Sequence, residues 1–277
     1  MSRIAETFER VARERSKALG VYLTAGDPDL DTTVALVLEA ARRGADFIEL
    51  GIPFSDPTAD GPTIQRASER ALRGGTTLAG CLEALGRIRR ESDVPVVVFG
   101  YYNPFFTLGR DEGPTGRFHP ERLAQALSRA GADGILAVDL PIEELPEIQP
   151  ACDAVGLDTI VLVAPTTPPA RLDAAARLGR GFLYYVSVTG VTGMRDRVAA
   201  ELADRVSAVK ARARLPVVVG FGISTPEQAR EASRQADGIA VGSAVVRLVE
   251  THADQPRARL VAAVGDFVAS LKGALSQ

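Results

Sequence analysis

Histidine, cysteine, methionine and tryptophan are scarce in this chain of 277 residues. It has two histidines (His119, His252), two cysteines (Cys81, Cys152), two methionines and no tryptophan. The distances between the cysteines and histidines along the chain match no common spacing of a zinc site, and two isolated cysteines make no disulfide framework. We therefore expect no metal site. Because histidine is so rare, acid–base chemistry is expected to fall to carboxylates.

Excess charge of one sign and long apolar runs are also missing. The 32 Lys and Arg residues nearly balance 35 Asp and Glu residues, giving a net charge of −3, whereas nucleic-acid-binding proteins usually carry a basic face or tail. No stretch approaches 18 uninterrupted apolar residues, and the charged N-terminus has no apolar signal core. We expect a cytoplasmic protein with neither a nucleic-acid partner nor a membrane partner.

What the chain does have is a regular series of apolar segments of strand length. They are rich in Val, Ile, Leu and Tyr and apolar on both faces, which is typical of parallel strands covered by helices. They span 19–26, 46–53, 94–103, 134–141, 159–166, 181–188, 215–222 and 238–245. Helical periodicity fills the intervals, for example at 119–130, 197–213 and 225–235.

Eight such units without a Pro/Gly-rich linker predict a single (β/α)8 TIM barrel spanning residues 1–277. An extra N-terminal helix (about 3–16) and an inserted helix near 78–91 are expected, and the polar 107–118 stretch is expected to be a surface loop. A doubly wound open sheet is the alternative, but no strand is followed by its G-x-G-x-x-G fingerprint. The phrases RRGADFIEL, SRAGADGILAV and SRQADGIAV indicate a recurring helix-to-strand joint.

Active sites of such barrels lie at the carboxyl ends of the strands, and Glu49 is the most unusual residue there. It lies between Ile48 and Leu50 inside an apolar strand. If Glu49 points into the barrel, burial raises its pKa toward the range of a general acid. The alternative is a strand acid that faces a Lys or Arg.

Two further acids follow in a proline-rich loop. Asp60 precedes Gly61-Pro62, so it could be either a catalytic group or the N-cap of a helix. Asp56 has the same ambiguity, because Ser-Asp-Pro commonly makes a turn. The spacing leaves both alternatives open.

Three glycine-rich segments end the last three strands, and together they predict a phosphate site. They are Thr189–Gly193, Gly220–Gly222 and Gly242-Ser243. Glycines let backbone N–H groups approach an anion, and barrels often bind phosphate near strands seven and eight. For any single glycine, a tight turn is the simpler interpretation.

Aromatic residues also collect near strand ends, where they either fill the barrel core or line a pocket for a planar apolar substrate. They are Tyr22, Phe99, Tyr101, Tyr102, Tyr184, Tyr185 and Phe221.

The run Ile48–Gln65, IELGIPFSDPTADGPTIQ, strongly resembles the signature of the tryptophan synthase alpha chain family. Further motifs follow in the same order over about residues 18–250. They are Leu23–Pro28 (LTAGDP), Tyr101–Pro104 (YYNP), Val138–Pro141 (VDLP), Ser187–Gly193 (SVTGVTG), Gly220–Ser224 (GFGIS) and Gly242-Ser243.

The resemblance implies a carbon–carbon lyase, which cleaves indole-3-glycerol phosphate to indole and glyceraldehyde 3-phosphate in tryptophan biosynthesis. Glu49 matches the acid–base carboxylate of the family, and Asp60 matches the carboxylate that interacts with the indole N–H. Positions matching the family's phosphate contacts are Gly193, Gly222, Gly242 and Ser243. Those matching its ring and glycerol contacts are Tyr22, Tyr184 and Phe221, and Thr192 matches a threonine of a loop (188–197) that closes over the site.

The resemblance also implies a beta-chain partner in an alpha2-beta2 tetramer, which receives the indole. The beta chain would bind pyridoxal phosphate, with no cofactor in this chain. Two positions depart from the family pattern: Thr58 in the partner-contacting loop and Gly100 near the ring pocket. A stand-alone lyase, or a weakly catalytic barrel that mainly activates its partner, are the alternatives.

Overall fold

Nine parallel strand segments form one sheet in the computed structural model, which describes residues 1–113, 115–186, 205–220 and 222–276. The segments are β1 (Ala18–Thr24), β2 (Phe47–Gly51), β3 (Val96–Gly100), β4 (Gly134–Ala137), β5 (Asp158–Thr159), β6 (Val161–Val163), β7 (Leu183–Val186), β8 (Val217–Gly220) and β9 (Gly238–Val241). Their order in the sheet is β5-β4-β3-β2-β1-β9-β8-β7-β6.

The two segments at the ends of this order are one interrupted strand. Only Ile160 separates β5 from β6, and its N–H donates to the carbonyl of Ile135 at 2.9 Å. The strand pairs with β4 at its beginning and with β7 at its end. It therefore closes the sheet into a barrel of eight strand positions. The expected (β/α)8 barrel is confirmed, and the open doubly wound sheet is wrong.

Helices cover the outside of this barrel. They are α1 (Arg3–Arg13), α2 (Leu30–Arg42), α3 (Pro62–Arg73), α4 (Leu78–Glu91), α5 (Tyr102–Gly109), α6 (Pro120–Ala130), α7 (Gln149–Ala154), α8 (Pro169–Leu178), α9 (helical over 205–212), α10 (Pro226–Ser233), α11 (Ser243–His252) and α12 (Arg257–Leu275), with a 3-10 turn at Leu145–Glu147. The extra helices α1 and α4 agree with the predicted ones. The 197–204 part of the predicted 197–213 helix lies outside the described residues.

The predicted surface loop at 107–118 is wrong in its first residues, because α5 extends through Gly109. Beyond it, Arg110 and Phe118 form an antiparallel bridge. Within α5, Phe105 is fully buried, and Phe106 stacks on Phe118 with 4.8 Å between ring centroids. This aromatic packing stabilises regular structure in a segment whose polar composition is typical of a loop.

Alternate side chains of each strand point to opposite sides of the barrel wall. On β1, Leu19, Val21 and Leu23 belong to the outer core beneath the helices. Phe47 on β2 instead belongs to the interior core, which α1 closes from below with its apolar face. A Cβ on Gly20 would lie 2.2 Å from the Phe47 ring, so glycine at that position makes room for the ring of its partner on the neighbouring strand.

The three repeated joints share one kind of hydrogen bond at the amino-terminal end of the barrel. In each, the aspartate of the repeat accepts a hydrogen bond from a backbone N–H at the start of a neighbouring strand. The pairs are Asp46 with Leu19 (2.8 Å), Asp133 with Val96 (2.8 Å) and Asp237 with Val217 (2.9 Å). Each carboxylate also has a cationic partner, namely Lys272, Arg89 and Lys210 respectively. The repeat therefore follows from a shared strand-fixing contact.

Candidate active site

Glu49 lies at the centre of β2, with its side chain inside the barrel. Its strand neighbours are Tyr22 on β1 and Val97 on β3. Because side chains alternate along a strand, Ile48 and Leu50 pack in the outer core while Glu49 faces inward. Only 1% of Glu49 is exposed.

The Glu49 carboxyl group is buried, and no ion-pair partner for it lies within the described residues. Its Oε1 atom accepts no hydrogen bond from the described residues, and none of the ion pairs found among them includes Glu49. Burial raises its pKa from the ordinary 4.5 to about 8, since a charged carboxylate loses its hydration there. The alternative of a strand acid facing a lysine or arginine is therefore not what the described residues show. A carboxyl group in this state can donate a proton at neutral pH.

Asp60 lies in the loop between β2 and α3, and it is not the N-cap of that helix. The N-cap is Gly61, and no side chain caps the helix. Instead, the Tyr101 hydroxyl donates to Asp60 Oδ2 at 3.2 Å. Burial raises the pKa of Asp60 to about 6, and the Tyr101 hydrogen bond opposes the rise. Asp60 is therefore mostly a carboxylate at neutral pH, in contrast to Glu49.

Tyr101 organises the loop that carries Asp60. Besides donating to Asp60, its hydroxyl oxygen accepts from the backbone N–H of Ala59 at 2.8 Å, and its ring stacks on Phe54 with 5.1 Å between centroids. The sequence placed Tyr101 among the aromatic residues near strand ends without giving it a separate role. Its place in the YYNP motif directly after β3 was the available signal.

Tyr22 lies in the barrel interior near both carboxyl groups. Its ring meets Phe99 edge-on at 5.2 Å. Burial raises the pKa of the Tyr22 hydroxyl above its usual range, and the nearby charges of Asp60 and Glu49 raise it further. A Cβ on Gly51 would lie 2.2 Å from the Tyr22 hydroxyl oxygen. Glycine at this position is thus what allows the phenol to lie there.

Tyr184 occupies an equivalent place on β7. A Cβ on Gly220 of β8 would lie 2.1 Å from the Tyr184 hydroxyl oxygen. The pKa of Tyr184 is raised by burial first and then by Glu49 and Tyr22, so the three side chains share one interior region. The structure thus brings the predicted pair Tyr22 and Tyr184 together with Glu49.

The predicted phosphate contacts lie at the ends of β8 and β9. Gly242 is the N-cap of α11 and Ser243 is its first residue, so the free N–H groups of this ten-residue helix face the carboxyl end of the barrel. Gly222 has a φ of +67°, a conformation that favours glycine. Thr192, Gly193 and Phe221, together with the predicted loop 188–197, lie outside the described residues.

Other residues near the strand ends do not point into the barrel. Tyr185 packs in the outer core, and the Tyr102 hydroxyl donates to Glu147 at 3.0 Å. A Cβ on Gly100 would approach Phe105 at 3.2 Å and Ile52 at 3.3 Å, both in the outer core. The departure at Gly100 is therefore directed away from the interior.

Metal-binding clusters and membrane-spanning helices are also absent from the described residues. The described residues contain no cluster of three or more His, Cys, Asp or Glu side chains able to hold a metal ion. No helix in that same part of the chain has the length and apolar character needed to cross a bilayer.

A family model and several known proteins match nearly the whole of this chain. The family model described as "Tryptophan synthase alpha chain" matches residues 8–274. A tryptophan synthase alpha chain from Citrifermentans bemidjiense is 52% identical over 272 residues, which is 98% of this chain and 97% of the relative.

Solved structures are similar over the same extent. The tryptophan synthase alpha subunit of Legionella pneumophila has a TM-score of 0.88 at 37% identity, covering 99% of this chain and 98% of the other. A chain from the tryptophan synthase a2b2 complex of Pyrococcus furiosus has a TM-score of 0.78 at 34% identity, covering 93% of this chain and 99% of the other.

Proposed function

The chain belongs to the tryptophan synthase alpha chain family, whose members cleave indole-3-glycerol phosphate, and from this premise we propose that Glu49 and Asp60 perform that cleavage here. The observation that carries the assignment is the state of Glu49. It is a buried, inward-facing carboxyl group without a hydrogen-bond partner for Oε1 among the described residues. An acid left unpaired in this way costs stability, which favours a chemical role.

Glu49 supplies and recovers the proton of the reaction. In its protonated form it donates a proton to the indole ring carbon that bears the glycerol chain. The carboxylate left on Glu49 then takes the proton of the adjacent hydroxyl group while the carbon–carbon bond breaks. The electron pair of that bond returns to the ring, the hydroxyl carbon becomes the aldehyde, and Glu49 ends protonated as it began. A pKa of about 8 allows both transfers near neutral pH.

Asp60 complements this cycle because it is ionised under the same conditions. Its carboxylate accepts a hydrogen bond from the ring N–H, and it stabilises the positive charge that develops on the nitrogen when the ring carbon is protonated. The pKa values of about 8 for Glu49 and about 6 for Asp60 separate the two roles.

The remaining predicted contacts hold the two ends of the substrate. The α11 N-terminus at Gly242 and Ser243, with Gly222, receives the phosphate, since free helix N–H groups favour an anion. Tyr22 and Tyr184 line the space for the ring and the glycerol chain. Gly193, Thr192 and Phe221 complete the set by their match to the family. The whole chain, 1–277, acts as one barrel domain.

A beta chain is the proposed partner, in an alpha2-beta2 tetramer located in the cytoplasm. The exposed loop residues Ser55, Asp56 and Thr58 offer a contact surface. Pyridoxal phosphate belongs to the partner in this proposal. In support, the lysines of this chain lie at the amino-terminal end of the barrel, opposite the candidate site. They are Lys17, bound to the carbonyl of Ala236, Lys210, paired with Asp237, and Lys272, paired with Asp46.

The test is indole release from indole-3-glycerol phosphate, measured with and without a beta chain. We expect weak release from the isolated chain and an increase with the partner. Strong release without a partner would favour the stand-alone lyase, and none in either case would favour the activating barrel.

The same assay tests the site residues. Glu49→Gln should lower turnover by roughly 10²–10⁴-fold, the range of a positioned proton transfer, while glycerol 3-phosphate still binds. Asp60→Asn should lower turnover as well, whereas Asp56→Asn, in the same loop but exposed, is the matched control for the isolated chain. A near-normal rate for Glu49→Gln would remove Glu49 from the mechanism.

A further inference from the structure

Four charged side chains form what we call the Arg70 network: Asp27, Arg66, Arg70 and Glu250. The network joins α3, α11 and the loop that follows β1. Arg70 on α3 donates two parallel hydrogen bonds to Asp27, from Nε to Oδ1 at 2.9 Å and from Nη2 to Oδ2 at 2.8 Å. Its Nη1 atom donates to Glu250 Oε1 at 2.9 Å. Arg66, one turn earlier on α3, donates to both oxygens of Glu250 at 2.7 and 2.9 Å. One guanidinium thus holds two carboxylates from different parts of the chain.

Two of the connected elements carry opposite ends of the candidate site. Helix α3 begins two residues after Asp60, and Gln65 on α3 donates to the Asp60 carbonyl at 2.8 Å. Helix α11, which carries Glu250 near its end, begins at Ser243 in the proposed phosphate site. A displacement of α3 relative to α11 would therefore change the distance between Asp60 and the phosphate site.

Apolar contacts between the same helices extend to the barrel interior. Ala67 of α3, Val246 of α11 and Tyr22 form one small buried cluster. A Cβ on Gly242 would lie only 3.3 Å from Tyr22 Cβ, so the start of α11 abuts the tyrosine of the site. The charged network adds a directional restraint on the relative position of the same helices.

Burial and geometry make the network stronger than an ordinary surface pair. The Asp27 side chain is 2% exposed, Arg70 is 29% exposed and Glu250 is 27% exposed. Bidentate arginine–carboxylate pairs fix direction as well as distance. Arg66 and Arg70 lower the pKa of Glu250 to about 2, so Glu250 stays charged. By comparison, the ion pair of Arg73 on the same helix among the described residues is with exposed Glu69, at 76% and 57% exposure, a contact of little energetic weight.

We propose that Arg70 is a positioning residue, which acts through Asp27 and Glu250 to set the separation between Asp60 and the α11 N-terminus. The inference rests on the proposed function, because it assumes that one substrate reaches both places. The phosphate is held at α11 and the ring N–H is held at Asp60. Neither half of the substrate alone depends on this separation, whereas the intact substrate does.

The test uses the full-length chain, with its beta chain if that partner raises activity, and compares intact substrate with its two halves. Arg70→Lys keeps the positive charge but loses the two-pronged contact with Asp27. Glu250→Gln keeps the shape of the side chain but removes the charge that joins α11 to α3. Arg73→Lys is the matched control on α3. For each variant, kcat/KM is measured with indole-3-glycerol phosphate, and dissociation constants are measured with glycerol 3-phosphate and with indole.

We expect kcat/KM to fall by about 10-fold to 100-fold for Arg70→Lys and Glu250→Gln, since a misplacement of about 1 Å can cost a factor of about 10². The dissociation constants of both half-ligands should stay within about twofold of those of the unaltered chain, and Arg73→Lys should behave like the unaltered chain. If Arg70→Lys does not fold, as judged by circular dichroism, the comparison rests on Glu250→Gln, which leaves the buried Asp27 pair intact.

Two results would overturn the inference alone. One is an unchanged kcat/KM in both folded variants, and the other is a parallel loss of glycerol 3-phosphate affinity, which would make the network a support of the phosphate site only. If the unaltered chain releases no indole even with a beta chain, the proposed function fails first, and the inference fails with it.

Discussion

Replacing Glu49 by glutamine should change the pH dependence of stability by an amount that follows from the raised pKa of Glu49. The pKa of Glu49 is about 8 in the folded chain, against an ordinary 4.5. The difference of about 3.5 corresponds to about 5 kcal/mol at about 1.4 kcal/mol for each tenfold change in proton affinity. Because Glu49 is only 1% exposed, solvent screening reduces this value little.

The sign follows from proton linkage. Below pH 4.5, Glu49 is protonated in both the folded and the unfolded chain, so its contribution to stability is complete. As the pH rises toward 8, the unfolded chain loses the proton while the folded chain keeps it, and the free energy of unfolding falls by about 1.4 kcal/mol per pH unit from this group. Above pH 8 the loss is complete. Glutamine, which does not titrate, removes this dependence.

Urea unfolding of both proteins at pH 4.5 and at pH 8.5 measures the effect. We expect the difference in unfolding free energy between Glu49→Gln and the unaltered chain to shift by about 4 kcal/mol in favour of the variant between these pH values, which span most of the titration. Other acids cancel, since they are common to both proteins. A difference that stays constant with pH would refute the raised pKa, and with it the argument that Glu49 is a proton donor at neutral pH.

The remaining predictions concern single contacts. The pH profile of kcat/KM should be bell-shaped, rising through about pH 6 as Asp60 ionises and falling above about pH 8 as Glu49 does. A profile without these limbs would contradict the assigned roles. Tyr101→Phe removes the hydrogen bond that opposes the rise of the Asp60 pKa, so the acid limb should move to higher pH, and an unmoved limb would show that the bond is unimportant. Gly220→Ala places a Cβ 2.1 Å from the Tyr184 hydroxyl and should lower the unfolding free energy by about 1–3 kcal/mol in thermal or urea unfolding. Gly273→Ala, where no atom lies within 4 Å of the added Cβ, is its control, and equal effects would contradict the packing argument. Tyr185→Phe removes a buried hydroxyl without a hydrogen-bond partner among the described residues and should leave stability unchanged or raise it by up to about 1 kcal/mol, so a clear loss would reveal a partner for this hydroxyl.

The barrel could be predicted from the sequence because its signals are local. Continuous apolar runs identify buried parallel strands, and the repeated joint with its aspartate can be recognised from neighbouring residues alone. The interruption between β5 and β6 could not be predicted, because residues 160–164 within the 159–166 run are continuously apolar and only pairing partners distinguish the two halves of the strand. The end of α5 was missed for a related reason, since the stacking of Phe106 on Phe118 is a contact between residues that a polar loop separates in sequence.

The candidate site could be predicted only where a residue stands out among its sequence neighbours. An acid within an apolar strand is unusual, so Glu49 could be singled out from its neighbours alone. Asp60 could not be distinguished from a helix cap, because the distinction depends on the contact with Tyr101, which lies 41 residues away along the chain. The Arg70 network is also invisible in the sequence, since Asp27, Arg70 and Glu250 meet only when the barrel closes. The assignments of the site residues to catalysis stay predictions.

Buried carboxyl groups at the two ends of the barrel differ in whether they have hydrogen-bond and ion-pair partners. At the amino-terminal end, Asp46 is buried but accepts from the Leu19 N–H and pairs with Lys272 and Arg10, so its charge is compensated and it can fix a strand. At the carboxyl end, Glu49 has no such compensation within the described part of the chain. An uncompensated buried acid such as Glu49 keeps its proton at neutral pH and can give it to a substrate. The stability gain of Glu49→Gln should therefore level off near pH 8, and this pH should coincide with the alkaline limb of the activity profile.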